Sequence, residues 1–523
     1  MNTEDQSAVI DFVGSPATHR VAAVDRIDTH SAVVFLAGEL AYKLKRAVRF
    51  DYLDFSTIER RRSFCEAEVR LNRRTAPTLY HGVVAVTRES DGSLALGGAG
   101  DAVDWLVVMN RFSQDALFDR LAGAGRLELD LMPPLAAAIA GFHSAAERRV
   151  DQGGRAGMAW VIDGNAAGFE EYGADCLDST LRSHVTHASR VELDRCGGLL
   201  DARRNEGFVR QCHGDLHLRN IVLLHGRPTL FDGVEFDDKI SCTDVLYDLA
   251  FLLMDLGRRR LPDHASSVWN RYLAETDDLT GISLMPLFHS CRAAVRAKTS
   301  ATAARLQRDS ARRGELQALA REYLEMAERL LRPPPPCLVA IGGFSGSGKS
   351  TLALRLAPAI GALPGAVVHR SDEIRKRLCG VPLLQRLGDE GYLPEVSSRV
   401  YTTIAERASR TILGGHSAIV DAVYVRPADR HAIEAVAMKA SVPFVGVWLD
   451  APGSTLAQRV AERVNDPSDA DASVIQMQRA ENAGEISWHR VDAAMPSEVV
   501  LRKAITHLHE RVGTSFSPGP EET

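Results

Sequence analysis

The stretch Gly343-Phe-Ser-Gly-Ser-Gly-Lys-Ser-Thr351 constrains the fold of this chain more than any other. The apolar run 337–343 that leads into it predicts a buried strand, and the apolar pattern after it predicts a helix. The glycines let backbone N–H groups turn toward phosphate oxygens, and the helix N-terminus adds its dipole. The segment therefore predicts a phosphate-binding loop at the end of a sheet strand.

The lysine and the hydroxyl that follow the glycines have defined tasks in such loops, and they predict binding of ATP with Mg²⁺. Lys349 reaches the β- and γ-phosphates, and the Ser350 hydroxyl ligates the magnesium ion. The residues predicted to bind the nucleotide are Gly343, Ser345, Gly346, Ser347, Gly348, Lys349, Ser350 and Thr351.

Strand and helix patterns alternate after the loop, with further strands predicted at 366–370, 417–421 and 443–450. This alternation predicts a doubly wound parallel sheet with helices on both faces. Asp372 follows the first of these strands and is placed to activate an acceptor hydroxyl. Asp421 ends the next strand, where it can hold the magnesium shell. The sequence leaves open that Asp372 is a helix N-cap and Asp421 a turn residue.

Three arginines are candidates for the same site. Arg375 lies one helical turn after Asp372 and is predicted to bind the acceptor. Arg459 and Arg463 are four residues apart on one helical face and precede 465–469, which predicts a lid that closes over ATP. A solvated helix face is the alternative for this pair.

A second polar pattern, His213-Gly-Asp-Leu-His-Leu-Arg-Asn220, places an acid and an amide five residues apart. Asp232 follows a short apolar strand further on. Phosphoryl transfer needs cations at the phosphates, metal ligands and a group that orients the attacking hydroxyl. We therefore expect Asp215 to accept the hydroxyl proton, and Asn220 and Asp232 to ligate Mg²⁺.

A hairpin predicted from 31–36 and 39–45 carries the candidate nucleotide lysine, Lys43. Lys45 lies on the same face of that strand, because side chains two residues apart in a strand point the same way. Strand spacing therefore does not choose between the two lysines.

The helix predicted at 55–72, with Ser56 as its N-cap, carries the expected carboxylate partner of that lysine. Glu68 and Glu66 are the two candidates. Glu235, three residues after Asp232, is an additional acid to which the sequence assigns no role.

The remaining pattern gives a strand-rich beginning and a helical bulk. A strand is predicted at 102–110, and helices at 129–149, 166–189 and 303–331. The four prolines of Leu331-Arg-Pro-Pro-Pro-Pro336 cannot continue a helix, and they predict a domain boundary there.

The motif His213-Gly-Asp215-x-His-x-x-Asn220, with Phe231-Asp-Gly233 and Asp244-x-x-x-Asp248 after it, resembles the aminoglycoside phosphotransferase family, relatives of choline kinases and protein kinases. The resemblance covers roughly residues 30–300 and implies a two-lobed, protein-kinase-like α+β fold. It implies that Asp215 is the catalytic base, that Asn220 and Asp232 hold magnesium, and that Lys43 is the nucleotide lysine.

The second half resembles the P-loop kinases that group with gluconate kinase, zeta-toxin-like kinases and polynucleotide kinase, over roughly residues 337–510. The fusion of the two halves resembles a bacterial family of bifunctional aminoglycoside phosphotransferase/ATP-binding proteins. The predicted fold class is therefore α/β multidomain. The predicted domains are a kinase domain at 1–330 with a small lobe at 1–110 and a large lobe at 111–330, a linker at 331–336, a P-loop kinase domain at 337–512 and a flexible tail at 513–523.

These resemblances imply a bifunctional ATP-dependent phosphotransferase acting on hydroxyl groups of small molecules, with a sugar or an aminocyclitol as the candidate acceptor. Two alternatives stay open. The P-loop half is a nucleotide-binding regulator, or it is a kinase for a nucleic-acid 5′-hydroxyl or a nucleotide-sugar.

The charge and the apolar pattern of the chain indicate which partners are not expected. The net charge of −6 gives no basic field for nucleic acid, and no apolar run approaches the roughly 20 residues that span a bilayer, so neither is an expected partner. The polar first residues do not resemble a secretion signal, and the eight cysteines contain no Cys-x-x-Cys pair, which together predict a cytoplasmic location. The oligomeric state stays open.

Overall fold

The computed structural model describes residues 4–29, 31–50, 53–462, 468–481 and 483–513. The chain forms two compact units. The first comprises 1–163 and 193–255, and the second comprises 164–192 and 256–523. The predicted tail lies, beyond Gly513, outside the described residues.

The first unit is an α+β structure around a six-stranded antiparallel sheet. The strands of the whole unit are β1 Val24–Asp28, β2 Ala32–Ala37, β3 Leu40–Lys45, β4 Arg49–Phe50, β5 Leu53–Asp54, β6 Tyr80–Arg88, β7 Leu94–Leu96, β8 Asp101–Asn110, β9 Val209–Gln211, β10 Ile221–Leu224, β11 Arg227–Leu230 and β12 Cys242–Asp244. The large sheet has the order β1-β2-β3-β8-β6-β7. The predicted hairpin is present as β2 and β3, which turn at Gly38 with a positive φ of 59°.

Helices cover both faces of that sheet. Those that lie wholly or partly in the first unit are α1 Ser7–Gly14, α2 Pro16–His19, α3 Ile58–Asn72, α4 Phe118–Gly123, α5 Met132–Ala145, α6 Gly154–Tyr172, α7 Ser179–Glu206, α8 Asp238–Ser241 and α9 Val245–Arg258. One apolar cluster joins the sheet to α3, and another joins the opposite face to α1. Because α3 packs on the sheet, Glu68 on its inner face is brought toward β3.

The second unit contains a five-stranded parallel sheet in the order β14-β15-β13-β16-β17. The strands are β13 Leu338–Gly343, β14 Val367–Arg370, β15 Ala418–Asp421, β16 Phe444–Asp450 and β17 His489–Asp492. Apolar side chains fill both faces, as a doubly wound sheet requires. The phosphate loop, Asp372 and Asp421 all follow the carboxyl ends of neighbouring strands, so the topology brings them to one edge of the sheet.

The helices of the second unit include a layer that precedes the sheet in the chain. They are α10 Pro262–Thr276, α11 Met285–Leu306, α12 Ser310–Leu330, α13 Lys349–Leu356, α14 Ser371–Leu378, α15 Pro394–Leu413, α16 Pro427–Ala440, α17 Gly453–Ala461, α18 Ala472–Ala480 and α19 Ser497–Val512. The proline segment joins α12 to β13 inside this unit, and its role as a domain boundary stays a prediction.

Helix α10 closes the exposed edge of the parallel sheet. The side chain of Asn270 accepts a hydrogen bond from Val368 N at 2.7 Å and donates one to Ala366 O at 3.2 Å. These are the bonds that a neighbouring strand would make with β14, so the amide of one side chain satisfies part of an edge that would otherwise be unpaired.

Three predicted helices have different limits in the structure. The helix predicted at 55–72 begins at Ile58, because the Thr57 hydroxyl caps it, while Ser56 Oγ donates to Asp54. The prediction of one helix over 166–189 is wrong: it is interrupted between α6 and α7, where the Asp178 carboxylate accepts from Leu181 N and starts a new helix.

The helix predicted at 303–331 is likewise two helices. Helix α11 ends at Leu306, and the Asp309 carboxylate accepts from Arg312 N at 2.7 Å to cap α12. The predicted fold class, a kinase-like α+β structure combined with a doubly wound parallel P-loop sheet, is confirmed. Within the described part of the chain, no helix is both long and apolar enough to cross a bilayer.

Candidate functional site

Lys43 lies at the centre of the candidate site in the first unit. Its Nζ donates to Glu68 Oε1 at 2.8 Å and to Asp232 Oδ1 at 2.6 Å. Burial acts to lower the pKa of Lys43, but the carboxylates of Asp232 and Glu68 outweigh it and raise that pKa well above its usual value. Lys43 is therefore a permanent cation beside Asp232, whose side chain is 43% exposed.

Lys45 lies on the same face of β3 but deeper. Its side chain is 2% exposed against 16% for Lys43. Its Nζ donates to Glu68 Oε2 at 2.6 Å and to Glu235 Oε1. Burial acts to raise the pKa of Glu68, yet the two lysines lower it to about 2. Of the two candidate lysines, only Lys43 is placed where a ligand can meet it.

The structure also separates the two candidate carboxylates on α3. Glu68 is fully buried against both lysines, whereas Glu66 is exposed and lies 2.9 Å from Arg62 on the outer face of the helix. The packing of α3 on the sheet therefore places Glu68, and not Glu66, beside Lys43.

Asp215 and Asn220 lie on the loop between β9 and β10. Asn220 Nδ2 donates to the main-chain oxygen and to Oδ2 of Asp215, each at 2.9 Å. His217 Nε2 lies 3.3 Å from the same carboxylate, which is 40% exposed. The His213 ring is bonded to Phe231 O at 2.9 Å, and burial lowers its pKa, which fits a neutral structural imidazole.

The sequence motif contained Asp248 without indicating its task. This carboxylate is fully buried and accepts from the backbone N–H groups of His213 at 3.1 Å and Gly214 at 2.8 Å. His143 Nε2 lies 3.1 Å from it on the other side. Asp248 therefore fixes the backbone of the loop that carries Asp215.

A cavity of about 550 Å³ opens beside this site in the first unit. Its size is in the range of small-ligand pockets. Phe112, one of its lining residues, packs edge-on against Phe231 with the ring centroids 5.2 Å apart. Phe231 immediately precedes Asp232 in the chain. The lining residues are Leu36, Gly38, Glu39, Arg111, Phe112, Ser113 and Gln114.

The phosphate loop of the second unit has the backbone that its glycines permit. Gly343, Gly346 and Gly348 have positive φ angles of 139°, 86° and 88°. A Cβ at Gly346 would lie 2.5 Å from the main-chain oxygen of Leu456, so no larger residue fits there. Thr351, further along in α13, is exposed.

Lys349 and Ser350 follow the loop at the start of α13. Lys349 Nζ donates to Phe344 O at 3.1 Å, and Ser350 Oγ donates to Asp421 Oδ2 at 2.5 Å. Asp421 is buried at the end of β15, and burial raises its pKa, against the opposing effect of Lys349. A hydroxyl and a carboxylate thus meet at one point beside the loop.

Asp372 occupies the second position of α14 and is half-buried. The N-cap of that helix is Arg370, with no capping bond from a side chain, so Asp372 is not the N-cap. Arg375 is held by its own chain: Nη1 donates to Gly391 O at 2.7 Å, and the guanidinium lies 4.8 Å from the centroid of the Tyr392 ring. Its contact with an acceptor stays a prediction.

The predicted lid lies only partly within the described residues. Arg459 is half-buried in the last turn of α17, and Arg463 falls in the segment 463–467, outside the described residues. Their closure over ATP stays a prediction.

Gln478 on α18 is a contact that the sequence analysis missed. Its side-chain oxygen accepts from Ser345 N at 2.9 Å, and its Nε2 donates to Ser345 Oγ at 3.0 Å. The two residues are 133 positions apart, and no local pattern around Gln478 indicates that it reaches the phosphate loop.

Both sites offer donors that suit Mg²⁺, which takes oxygen ligands. Because the Asn220 amide nitrogen is bonded to Asp215, its amide oxygen is the atom that remains for a ligand. Asp232 contacts Lys43 through Oδ1, one of its two oxygens. In the second unit, the Ser350 hydroxyl and the Asp421 carboxylate form the corresponding oxygen pair.

The fold and the two sites define a class of protein, one that combines a kinase-like α+β structure with a P-loop domain. Residues 338–483 match the family model described as AAA domain. The uncharacterized protein Rv2004c of Mycobacterium tuberculosis (strain ATCC 25618 / H37Rv) is 31% identical over 486 residues, which cover 91% of this chain and 93% of that protein. The chain belongs to the same family as this mycobacterial protein.

Solved structures resemble parts of the chain. Amicoumacin kinase hAmiN, in complex with AMP-PNP, Ca²⁺ and Ami, is 15% identical with a TM-score of 0.38, and the match covers 62% of this chain and 94% of that chain. A gluconokinase from Sinorhizobium meliloti 1021 is 25% identical with a TM-score of 0.24, covering 34% of this chain and 93% of that one.

Proposed function

We propose that the chain is a bifunctional enzyme that transfers the γ-phosphate of ATP to hydroxyl groups of small molecules at two sites. One observation carries the proposal: each site has an acid, Asp215 or Asp372, beyond the groups that bind phosphate and metal. Nucleotide binding alone needs neither acid. In domain terms, the first activity belongs to 1–330 and the second to 337–512.

At the first site, Lys43 binds the α- and β-phosphates, and the nucleotide base lies in the cavity lined by Phe112. Asp215 accepts the proton of the acceptor hydroxyl as its oxygen attacks the γ-phosphorus. The bond from that phosphorus to the β–γ bridging oxygen breaks, and ADP leaves with the electron pair. Mg²⁺, when held by Asn220 and Asp232, supplies charge neutralisation at the phosphates.

At the second site, the backbone N–H groups of the phosphate loop and the Lys349 ammonium bind the β- and γ-phosphates. Ser350 and Asp421 hold Mg²⁺, and Asp372 orients the acceptor hydroxyl and takes its proton. Arg375 binds the acceptor, and Arg459 and Arg463 close over the transferring phosphate. A sugar or an aminocyclitol is the acceptor class that we propose, from the motif resemblances, with a cytoplasmic location.

The test is ATP-dependent phosphorylation of a panel of sugars, aminocyclitols, aminoglycosides, nucleosides and oligonucleotides, read by mass spectrometry. Full-length wild type is compared with Asp215→Asn and Asp372→Asn, and with Asp263→Asn, an exposed acid on α10, as the matched control. The proposal expects each active-site variant to lose a different product while Asp263→Asn keeps both. A wild-type chain that neither hydrolyses ATP nor phosphorylates any compound of the panel would refute the proposed function.

A second candidate makes the P-loop half a nucleotide-binding regulator. The contact of Gln478 with Ser345 favours it, since an internal side chain that occupies the phosphate loop is a means of responding to nucleotide. An Asp372→Asn variant that retains every phosphorylation, together with a Lys349→Ala variant that changes the rate of the first activity, would support this candidate. Label transfer to an oligonucleotide would instead identify a nucleic-acid acceptor.

A further inference from the structure

Lys45 and Glu235 form a buried ion pair next to the proposed ATP site of the first unit. The side chains are 2% and 6% exposed, so neither one is available to a ligand. Lys45 also lies over the Phe55 ring, 4.9 Å from its centroid, which closes off the other side of the ammonium. A lysine this well enclosed acts through its protein partners.

The pair is joined to Lys43 through Glu68. One carboxylate oxygen of Glu68 accepts from Lys43 at 2.8 Å, and the other accepts from Lys45 at 2.6 Å. The two lysines therefore hold the two oxygens of a single carboxylate. Glu68 therefore links Lys45 to Lys43, whose ammonium it holds together with Asp232.

The same two lysines also tie β3 to the segment that carries Asp232. Lys43 pairs with Asp232, and Lys45 pairs with Glu235 three residues further along. Binding of metal and nucleotide, as proposed above, takes Asp232 for the metal and turns Lys43 toward phosphate. The pair of Lys45 and Glu235 is then an ion pair between strand and segment that remains.

Charge balance explains why Lys45 has a carboxylate partner of its own, Glu235. Without Glu235, and with Asp232 taken by the metal, one Glu68 carboxylate would have to serve two buried ammonium groups. Opposite charges attract strongly in such a poorly screened place, and the more enclosed Lys45 would compete with Lys43 for Glu68. Glu235 gives Lys45 a separate partner, so that Glu68 keeps its hydrogen bonds to both Lys43 and Lys45.

We propose that Glu235 is a positioning residue for the nucleotide: through Lys45 it fixes Glu68, and thereby Lys43, and it holds the Asp232 segment on β3 while metal and ATP are bound. The inference rests on the proposed function of the first site. It assigns a task to the acid that the sequence left without one.

The experiment uses the full chain with Lys349→Ala as the parent, which removes nucleotide binding at the phosphate loop. Binding of a fluorescent ATP analogue with Mg²⁺, and the KM values for ATP and for the acceptor, are measured for Glu235→Gln, Lys45→Met and the double variant Lys45→Met/Glu235→Gln. Thermal unfolding of each variant identifies any that does not fold, and Glu235→Asp serves as the conservative replacement.

Glu235→Gln is expected to weaken ATP-analogue binding by about tenfold, the range seen when a group supporting a metal or its ligands is removed. The acceptor KM is expected to stay the same. The double variant removes the competing ammonium together with its acid, so its ATP affinity is expected to return to within about threefold of the parent. A residue that served stability alone would not show this recovery.

Three results would overturn the inference. ATP binding to Glu235→Gln that is equal to or tighter than that of the parent would mean that Glu235 only neutralises charge. A double variant as weak as Glu235→Gln would mean that Lys45 does not compete for Glu68. A parent that binds no nucleotide, with Lys43→Met and Asp232→Asn unchanged from it, would remove the proposed first site itself and the inference with it.

Discussion

At the residue scale, single buried carboxylates organise the first site. Asp248 is the clearest case, because it is fully buried and its two oxygens accept from consecutive backbone N–H groups of the loop that carries Asp215. Hydrogen bonds to an ionised group are stronger than those between neutral groups. The position of Asp215 therefore depends on a side chain that is itself fully buried.

Asp248→Asn is expected to lower the free energy of unfolding by about 3 kcal/mol, because an amide cannot accept from both N–H groups and leaves one unsatisfied. Urea unfolding checks this value, and product formation at the first site should fall with it. Asp263→Asn, on an exposed position, is the control and should change stability by less than about 0.5 kcal/mol. Equal unfolding curves for wild type and Asp248→Asn would contradict the assigned task.

The residues of the first site show what sequence can and cannot predict. Local spacing indicated Asp215, Asn220 and Asp232, because each lies in a short motif. It could not choose between Lys43 and Lys45, which share one face of a strand and differ only in depth. One partner of Lys45, Glu235, lies 190 residues away in the chain, and such a contact is set by the packing of elements that no local pattern encodes.

At the element scale, α18 is bonded to the phosphate loop through Gln478. The side-chain amide takes both the N–H and the hydroxyl of Ser345. A phosphate oxygen that needs the Ser345 N–H must displace this amide first. The helix is therefore coupled to nucleotide binding at the second site.

Gln478→Ala is expected to tighten nucleotide binding at the second site by about fivefold, since hydrogen bonds worth about 1 kcal/mol net need no longer be broken. Fluorescent-nucleotide titration of the full chain, carrying Lys43→Met to silence the first site, measures the change. Gln476→Ala is the matched control, because Gln476 is exposed on the same helix. Weaker binding in Gln478→Ala would mean that the glutamine assists the nucleotide instead.

Two buried histidines lie where α11 and the segment before β15 meet in the second unit. Burial lowers the pKa of His289 to about 3 and that of His416 to about 4. Both folded-state values lie below the usual 6.5, so the unfolded chain binds protons that the folded chain does not. Stability from these groups is complete above pH 6.5 and is lost as the pH falls below it.

Between pH 6.5 and pH 5 the two histidines are expected to remove about 3 kcal/mol from the free energy of unfolding. Urea unfolding across this range should show a shallower pH dependence for His289→Phe/His416→Phe than for wild type. His431→Gln, an exposed position on α16, should leave the slope unchanged. Parallel slopes for the double variant and wild type would contradict the assignment.

Element limits were predicted less well than element order, for a physical reason. Helical periodicity continues across 166–189 and 303–331, so the apolar pattern gives no sign of a break. The breaks come from Asp178 and Asp309, whose carboxylates cap new helices. An aspartate within an otherwise helical pattern is a weak signal until its backbone partner is known.

At the scale of the whole molecule, the second unit extends beyond the phosphate-loop domain that follows the prolines. It also contains residues 164–192 and the helices from residue 256 onward. Helix α10 satisfies the edge of β14 through Asn270, and Asp277 just after α10 lies 2.7 Å from Arg377 on α14. The parallel sheet and the preceding helices therefore share contacts on which each depends.

A fragment beginning at residue 337 is expected to aggregate or to unfold at a markedly lower temperature than one beginning at residue 259, which retains α10, α11 and α12. The shorter fragment exposes an unpaired strand edge and the apolar surface that α10 covers. Sedimentation of the expressed fragments and their thermal unfolding midpoints test this. A soluble fragment from 337 with the same midpoint would show that the sheet needs no cover.

The bond between Asn270 and Ala366 also has a consequence for the order in which the chain is made. The two residues are 96 positions apart, so α10 leaves the ribosome roughly 5–20 s before the strand it covers, at the usual rates of synthesis. During that interval the inner face of α10 has no sheet to pack against. The nascent chain then exposes apolar surface that favours aggregation, and slower translation between residues 276 and 366 is expected to lengthen that exposure.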